Sequence, residues 1–321
     1  MTDNYVDLLI IGAGPAGLTA AQYGSRANLK VLVIEQLASG GQALVIDVLE
    51  NYPGNIEQLD AAGNVVSGIK SGYDFAMDLH KQAENFGSSF FSGSVSSLKK
   101  ENDIFTISLA DGTFYKAASV IIATGAKPRF LGVPGEKEFS GKGVSYCAAC
   151  DGNFFRNKKI FVVGGGDAAC DEARYLSRLT DKVILIHRRD TFRAQKALVE
   201  RTINNPNIEA RYNLVINEIK GSAKVSSVIL RNTKTGEVYE EETDAVFIFA
   251  GTVPQSELAR EIGAALDESG YIITDQKMAT NIEGLFAAGD IRSGAFRQVV
   301  TAAADGAVAA HHAAEYIDEK N

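Results

Sequence analysis

Residues 6–17 of the chain read VDLLIIGAGPAG, and this stretch decides the fold. Its first half is almost entirely apolar, which is typical of a strand buried on both faces of a parallel sheet. Its second half matches the G-x-G-x-x-G turn of dinucleotide-binding domains. In that turn Gly12 makes the tight bend, Gly14 lets a pyrophosphate approach, and Gly17 lets a helix pack on the strand. The stretch therefore predicts the opening of a Rossmann-like α/β domain.

The chain continues from this turn as such a domain requires. Residues 18–28 predict a helix whose N-terminus faces the phosphates, and residues 31–34 predict a second buried strand. That strand ends in Glu35, 23 residues after Gly12, where a carboxylate can accept hydrogen bonds from a ribose diol. Glycine turns alone are common, but strand, glycines, helix, strand and terminal acid together predict a nucleotide site.

The same pattern returns in the second half of the chain. A predicted strand at 160–163 runs into GGGDAA at 164–169, and a helix that ends near Arg178 leads to a predicted strand at 183–186. This internal repeat predicts a second nucleotide-binding domain.

The two copies differ at the residue that ends the second strand. Position 187 again lies 23 residues after the first glycine, but the chain has His187, Arg188 and Arg189 there instead of an acid. Arginines pair with a 2′-phosphate that an acid would repel, and Arg193, one turn further on, can join them. We therefore expect a nucleotide with a free ribose diol at the first site and NADPH at the second. The alternative is a solvated basic patch that binds no ligand.

Between the two patterns lies SYCAACDG, residues 145–152. Cys147 and Cys150 are separated by two small residues and can close a disulfide. Because Asp151 follows at once, the stretch predicts a redox centre with a proton donor beside it. A zinc site is one alternative, but it needs four ligands, and the remaining cysteine and the four histidines are scattered. A pair of inert buried thiols is the other, and the small and polar flanking residues favour a turn near the surface instead. Cys170 is expected to be a small packing residue.

Composition narrows the remaining possibilities. A chain of 321 residues is expected to form two domains, and 45% hydrophobic with 22% charged residues is ordinary for a globular protein. The net charge of −8 argues against nucleic acid and anionic membranes as partners. Three clustered cysteines suit a reducing compartment, so we expect a cytoplasmic protein. The short apolar segment near the N-terminus has no basic run before it, and we expect neither a signal peptide nor a membrane span.

The rest of the chain fills out both domains, and Pro128 and Pro134 mark a linker. Further elements are expected as a helix at 68–86, a meander of strands at 88–98, 103–109 and 113–115, buried strands at 119–125, 245–251 and 285–290, strands at 213–230 and 237–239, and an alanine-rich helix from 297 to about 316.

Together the motifs resemble the low-molecular-weight, bacterial-type thioredoxin reductases, class II of the pyridine nucleotide-disulfide oxidoreductases, and the match covers essentially the whole chain. The resemblance implies an α/β fold of two Rossmann-like nucleotide-binding domains of the three-layer ββα type, with an NADPH domain inserted into an FAD domain. The FAD domain would comprise residues 1–118 and 252–321. The NADPH domain, which carries the cysteine pair, would comprise residues 119–251.

The resemblance also assigns the site residues, and it implies no metal. The catalytic group is Cys147, Cys150 and Asp151. The FAD site comprises Gly12, Gly14, Pro15, Ala16, Gly17, Glu35, Gln36, Gly40, Gly41, Gln42, Asn51, Val95, Ala123, Thr124, Gly125, Gly289, Asp290, Arg297, Gln298 and Val299. The NADPH site comprises Gly164, Gly166, Asp167, Ala168, Ala169, His187, Arg188, Arg189 and Arg193.

The chemistry implied by the resemblance is a relay. NADPH reduces FAD, the flavin reduces the Cys147–Cys150 disulfide, and the resulting dithiol reduces oxidised thioredoxin. Cys150 would lie nearer the flavin, Cys147 would attack the partner, and Asp151 would supply a proton to the leaving thiolate. A homodimer is also implied, together with a rotation of the NADPH domain that exchanges nicotinamide and disulfide at one flavin face.

Two other functions stay open at this point. One is an NADPH-dependent reductase or oxidase whose acceptor is oxygen or another disulfide protein, and the other is a non-catalytic flavin redox sensor. Ferredoxin-reducing relatives share the nucleotide motifs but lack the cysteine pair, so the intact pair argues against them. The chain departs from the family at 43–47, ALVID, where many members carry a threonine-rich run. Hydroxyl contacts to the flavin or its pyrophosphate are therefore expected to differ here.

Overall fold

The computed structural model describes residues 4–46, 49, 51–59 and 65–320, and of residues 45, 59, 66, 149 and 150 it describes the backbone alone. These residues form two compact units. The first unit contains the residues up to Lys127 and those from Val253 onward, and the second contains Pro128–Thr252. The second unit is thus inserted into the chain of the first.

Helices and strands follow one another as listed here in chain order. The first unit opens with β1 (Tyr5–Ile11), α1 (Pro15–Arg26), β2 (Val31–Glu35), β3 (Gln58–Leu59), β4 (Val65–Ser67), α2 (Gly72–Asn85), β5 (Ser89–Ser92), β6 (Val95–Glu101), β7 (Ile104–Leu109), β8 (Phe114–Ile122) and β9 (Ala126–Pro128). The second unit has β10 (Val144–Ser145), α3 (Ala148–Asp151), β11 (Ile160–Gly164), α4 (Asp167–Leu176), β12 (Val183–His187), α5 (Lys196–Ile203), β13 (Ile208–Tyr212), β14 (Leu214–Gly221), β15 (Val225–Asn232), β16 (Val238–Glu242) and β17 (Ala245–Phe249). The chain then forms β18 (Thr252–Pro254), α6 (Glu257–Glu261), β19 (Leu285–Ala287) and α7 (Val299–Lys320), and single 3-10 turns lie at Gly41–Val45, Gly152–Phe155 and Gly289–Ile291.

The main sheet of the first unit has seven strands, and β8 joins its two parts. Strands β5, β2, β1, β8 and β19 are parallel neighbours in that order, and β7 and β6 continue from the first half of β8 as an antiparallel meander. The carboxyl ends of β1, β2, β8 and β19 therefore lie along one edge. In open parallel sheets this edge is where ligands bind.

The second unit has a parallel sheet of its own, in the order β10, β17, β11, β12, β13. A separate antiparallel sheet is formed by β14, β15 and β16. At the carboxyl edge of the parallel sheet, β10 leads to the cysteine stretch and β11 leads to the second glycine turn. The redox centre and the glycine turn thus leave the same sheet in the same direction.

Each parallel sheet is buried on both faces, which explains its continuous apolar strands. Alternate residues of β1 belong to different core clusters, with Leu8 and Ile10 on one face and Leu9 and Ile11 on the other. Strand β11 divides in the same way, because Phe161 packs on one face while its neighbours pack on the other. The alanine-rich helix α7 packs against α1 on the first of these faces.

Several predicted boundaries differ from the structure. The predicted strand at 88–98 is two strands, because β5 pairs with β2 in the parallel part of the sheet whereas β6 begins the meander with β7. The predicted strands at 113–115 and 119–125 lie in and beyond one strand, β8. The sequence did not predict β10, α5 or β13.

Both domain boundaries also move. A first boundary between residues 118 and 119 would divide β8, whose residues 119–122 belong to the first sheet; the two units separate after Lys127, where Pro128 begins the predicted linker. The second boundary was predicted between residues 251 and 252 and lies after Thr252. In the part of the chain that the structure describes, none of the helices has the length and apolar character needed to cross a bilayer.

Candidate active site

The first glycine turn is fixed by close backbone contacts at the end of β1. Gly12 has a φ of +103°, and a Cβ there would lie 2.5 Å from the carbonyl oxygen of Ala123. A Cβ at Gly17 would lie 1.9 Å from the carbonyl oxygen of Gly12, so both positions require glycine. Helix α1 starts at Pro15, and its N-cap Gly14 has no side chain to occupy the first amide groups. Those groups are free to bind a pyrophosphate.

Other predicted segments converge on this turn. The amide of Gly40 donates to the carbonyl oxygen of Ala13 at 2.7 Å. The side chain of Gln42 donates to the carbonyl oxygen of Ala126, next to the predicted run Ala123–Gly125. A Cβ at Gly289 would lie 2.9 Å from the Cβ of Ala16. Four segments far apart in sequence therefore form one cradle that fits a dinucleotide.

Glu35 lies at the end of β2 and is tied to the same turn. Its carboxylate accepts a hydrogen bond from the amide of Ala13 at 2.8 Å and another from the amide of Leu37 at 2.9 Å. Gln36 is exposed beside it, and Val95 opens β6 with its side chain against the core. The positions of Gln36 and Val95 do not by themselves indicate a nucleotide contact.

The C-terminal motif supplies a half-buried acid and a hydrogen-bonded side-chain amide. Burial raises the pKa of Asp290, while Arg297 opposes that rise and Asp305 adds to it. The guanidinium of Arg297 lies 4.3 Å from the ring centroid of Tyr271. The side-chain amide of Asn51 donates to the side-chain oxygen of Gln298 at 3.0 Å, one residue before Val299 begins α7. The structure therefore brings Asn51 to the C-terminal motif, as a shared site requires.

In the second unit the glycine turn lies against the strand-end histidine. A Cβ at Gly165 would lie 2.2 Å from His187 Nδ1, so a side chain there would displace the imidazole. The carbonyl oxygen of Gly165 accepts a hydrogen bond from the amide of Arg193 at 2.6 Å. Helix α4 begins after its N-cap Gly166, which has no capping side chain. The second turn thus repeats the free helix N-terminus of the first.

The remaining predicted residues of this turn lie on α4. Ala169 is fully buried, Ala168 is exposed, and Cys170 is buried in the core cluster on this face, as expected of a packing residue. The carboxylate of Asp167 accepts a hydrogen bond from the amide of Gln195 at 2.7 Å. That bond ties the start of α4 to the segment that follows the arginines.

The basic group combines one buried histidine with three exposed arginines. His187 is only 5% exposed, and its pKa is lowered by burial first and then by Arg193, Arg188 and Arg189. Its Nε2 atom is buried and has no hydrogen-bond partner among the described residues. None of the three arginines forms an ion pair within the part of the chain that the structure describes. Uncompensated positive charge beside an open helix N-terminus fits a phosphate dianion.

The redox stretch lies at the end of β10, where Ser145 contacts both of its functional neighbours. Its hydroxyl donates to the carboxylate of Asp151 at 2.5 Å and accepts from the amide of Cys147 at 3.1 Å. Cys147 is half-buried and disulfide-bonded, and Cys170 is a free thiol. The side chain of Cys150 lies outside the described residues, so its pairing with Cys147 stays a prediction. The stretch forms the one-turn helix α3 rather than an open turn.

Sequence reading missed several residues that hold the sites together. Ser145 is one of them. A serine hydroxyl often accepts a hydrogen bond from the backbone amide two residues later, and this turn motif could have suggested the bond from Cys147. Gln255 is another, since its side chain donates to the carbonyl oxygen of Thr124 at 2.6 Å and its backbone accepts from the Thr124 hydroxyl at 2.7 Å. Arg292 is a third, since it forms an ion pair with Asp305 at 2.6 Å, and the same carboxylate accepts a hydrogen bond from the amide of Gly289 at 3.1 Å. No local pattern marks the contacts of Gln255 and Arg292.

One group of metal-ligating side chains occurs in the described residues, on α7. It consists of His311, His312 and Glu315. Each imidazole already approaches a different oxygen of Glu315, at 3.4 Å and 2.7 Å, so the three side chains satisfy one another.

Two nucleotide cradles and a disulfide ahead of the second define the class of protein, a nucleotide-dependent disulfide oxidoreductase. A family model described as pyridine nucleotide-disulphide oxidoreductase matches residues 6–306, and the chain belongs to this family. Within it, the chain is 54% identical to a thioredoxin reductase of Treponema pallidum over 97% of both chains. It is 44% identical to one of Peptoclostridium acidaminophilum over 98% of both chains.

Solved structures give the same answer. The crystal structure of thioredoxin reductase from Streptococcus pyogenes is 42% identical, covers 99% of this chain and 100% of its own, and has a TM-score of 0.78. The crystal structure of T. acidophilum thioredoxin reductase is 34% identical, covers 99% of this chain and 100% of its own, and has a TM-score of 0.75. The chain therefore belongs with the thioredoxin reductases, and the predicted α/β fold with two Rossmann-like domains is confirmed.

Proposed function

We propose that this protein is an NADPH-dependent thioredoxin-disulfide reductase that binds FAD in its first unit and NADPH in its second. The observation that carries the proposal is the disulfide-bonded Cys147, held through Ser145 to the carboxylate of Asp151. This group leaves the same sheet edge as the arginine-bearing nucleotide cradle. FAD and NADPH, when bound, supply the two-electron transfer that no side chain can perform.

The assignment of each nucleotide follows from charge. The first cradle ends in Glu35, whose acidic oxygens suit a ribose diol and disfavour a ribose phosphate. The second ends in the basic group of His187, Arg188, Arg189 and Arg193, which suits a 2′-phosphate. FAD has a free diol on its adenosine ribose and NADPH has a 2′-phosphate there.

The reaction that the chain's own residues perform is thiol–disulfide exchange, and it takes place in two steps. The Cys147 thiolate attacks one sulfur of the thioredoxin disulfide, which forms a mixed disulfide and releases the other thioredoxin sulfur as a thiolate. The Cys150 thiolate then attacks Cys147, which restores their disulfide and releases the second thioredoxin sulfur. Thioredoxin gains two electrons and two protons. In our proposal Asp151 exchanges protons with the sulfurs that leave as thiolates.

We further propose a homodimer in the cytoplasm. The dimer is implied by the family resemblance. The location rests on the three clustered cysteines, which are too few for a structural disulfide framework and so suit a reducing compartment. Sedimentation of the full chain at several concentrations tests the dimer, and a single species of about one chain mass would contradict it.

An anaerobic titration tests the central proposal. We expect the purified protein to show flavin absorption bands that NADPH bleaches with more than one equivalent, because the disulfide takes a second electron pair. In steady state, NADPH consumption should depend on oxidised thioredoxin. Rapid consumption by oxygen alone would favour an oxidase, and bleaching without turnover on any protein disulfide would favour a redox sensor.

A further inference from the structure

We propose that Ser145 is a positioning residue of the redox centre, whose hydroxyl fixes the Asp151 carboxylate relative to Cys147 for proton transfer. This inference rests on the proposed function, since it assigns a role within the same disulfide exchange. Ser145 is not proposed to exchange a proton with a sulfur itself. It acts through the acid.

The hydroxyl of Ser145 makes contacts that define its direction. It lies 2.5 Å from Asp151 Oδ2, 3.1 Å from the Cys147 amide nitrogen and 3.2 Å from the Cys147 carbonyl oxygen. A serine has one hydroxyl proton, and the shortest contact, to a carboxylate, takes it. The lone pair then accepts from the Cys147 amide. The result is two successive hydrogen bonds, the first from the Cys147 N–H to the serine hydroxyl and the second from that hydroxyl to the carboxylate.

A backbone hydrogen bond between Asp151 and Cys147 closes these hydrogen bonds into a ring. The Asp151 amide donates to the Cys147 carbonyl oxygen at 3.2 Å across α3. Cys147 and Asp151 are therefore tied by their backbones and, through Ser145, by a side chain as well. A carboxylate held only by its own backbone would rotate about two side-chain bonds, and a proton transfer needs one direction.

Ser145 itself is held by a rigid element. It is 4% exposed and ends β10, where it pairs with the fully buried Phe247 of β17. Sites supported by strands hold their geometry better than sites on loops. The Ser145 hydroxyl thus holds the Asp151 carboxylate at a fixed position relative to the sheet.

The pair also has access to solvent. Ser145 and Asp151 line a cavity of about 310 Å³, together with Lys142, Phe154 and Lys224. Water in such a cavity can exchange protons with the carboxylate between turnovers. The Asp151 carboxylate is therefore held in place by Ser145 and can exchange its proton with solvent through the cavity.

A double-mutant cycle tests the role, with Ser145→Ala, Asp151→Asn and both together in the FAD-loaded protein. We expect Ser145→Ala to lower kcat with thioredoxin roughly tenfold, the lower end of what a hydrogen bond to a charged group is worth. In the Asp151→Asn background the same change should cost less than about twofold, because the acid it positions is gone. Bleaching of the flavin by NADPH should be unchanged in every variant.

Equal losses in both backgrounds, or no loss in either, would overturn the proposal. Ser145→Ala leaves a small buried cavity. A second pair of variants therefore separates the loss of the hydroxyl from any effect of that cavity on folding. Ser145→Thr and Ser145→Val have the same shape, and only threonine keeps the hydroxyl. We expect threonine to exceed valine in kcat about tenfold, and equal rates for the two would also overturn the proposal.

The cycle is repeated with a small aromatic disulfide as acceptor. A protein that reduces this compound but not thioredoxin would refute the proposed function. The interaction between Ser145 and Asp151 would still be measured in that case, so the two failures are distinguishable.

Discussion

In the first unit the strand after the glycine turn ends in Glu35, a carboxylate that accepts two backbone hydrogen bonds. In the second unit the equivalent strand ends in His187, a buried imidazole whose pKa is lowered by burial and by nearby arginines. The frames are alike, since each has a parallel strand, a glycine turn, a helix without a capping side chain and a second strand. The residues at the strand end differ in charge, with an acid in the first unit and a basic group in the second.

The difference shows how one fold can hold two nucleotides with distinct roles. Backbone amides at the helix start bind a pyrophosphate of either nucleotide, so the turn does not discriminate. Discrimination falls to the strand end, where an acid suits a diol and a basic group suits a phosphate. In the proposed function this asymmetry gives the chain one resident cofactor and one electron donor.

The largest effect is expected where neither nucleotide cradle is touched. Cys147→Ser or Cys150→Ser should abolish thioredoxin reduction, since a serine cannot form the disulfide, while FAD remains bound and reducible by NADPH. Steady-state turnover and flavin bleaching measure the two properties. Cys170→Ala, which removes a buried thiol from the core, is the matched control and should keep activity. Turnover that survives in either serine variant would place the chemistry outside the stretch.

Asp151→Asn should have the next largest effect, because it keeps the shape and hydrogen-bonding capacity of the side chain but cannot exchange a proton. Positioned acid–base catalysis is worth about 10²–10⁴-fold, and we expect a fall of that size in kcat with thioredoxin. Flavin content and thermal midpoint should stay within error of the unaltered protein. Full turnover by the asparagine variant across neutral pH would transfer the proton role to solvent or to the partner.

Neutralising the basic group should erase the difference between the two cradles. Arg188→Gln and Arg189→Gln each remove a charge-assisted contact worth about 1.5–3 kcal/mol, or roughly 10- to 150-fold in preference for NADPH over NADH. The ratio of kcat/KM for the two nucleotides measures it. Arg178→Gln removes an exposed arginine after α4 and should leave the ratio unchanged. Equal use of both nucleotides by the unaltered protein would refute the assignment.

The smallest effect concerns the helices that follow the two turns. Helix α1 has no acidic residue, whereas α4 contains Glu172, whose pKa is raised to about 7 by burial first and by Asp171 second. The folded protein thus keeps this proton up to about pH 7, while the unfolded chain loses it near the ordinary value of 4.5. The contribution of Glu172 to stability is therefore present below about pH 4.5 and is lost as the pH rises through 7.

Glu172→Gln should remove that loss. We expect its free energy of unfolding, relative to the unaltered protein, to rise between pH 5 and pH 8 by up to about 3 kcal/mol. Denaturant unfolding at the two pH values measures it, with the exposed Glu200→Gln as control. A stability difference that is independent of pH would contradict the raised pKa.

Much of the site could be predicted because its signals are local. The glycine turns, Glu35 and the basic group sit at fixed distances along the chain, so the same spacing that predicts a strand and helix also places the residue at the strand end. The disulfide bond of Cys147 was predicted for the same reason, and its pairing with Cys150 stays a prediction. Boundaries were less predictable, since one edge of β8 pairs with β7 along its first half and with β19 along its second.

The sequence by itself determined the residue types at the strand ends and the order of the two nucleotide frames, because these depend on chemistry and spacing within about thirty residues. Only the tertiary structure decided which distant segments meet. It brings Gly40 and Gly289 to the first turn, and it pairs Val144 of β10 with Val246 of β17, so that Ser145 reaches Asp151 from a fixed strand. The physical reason is that strand pairing joins residues about a hundred positions apart, and the periodicity of a strand does not encode its neighbour.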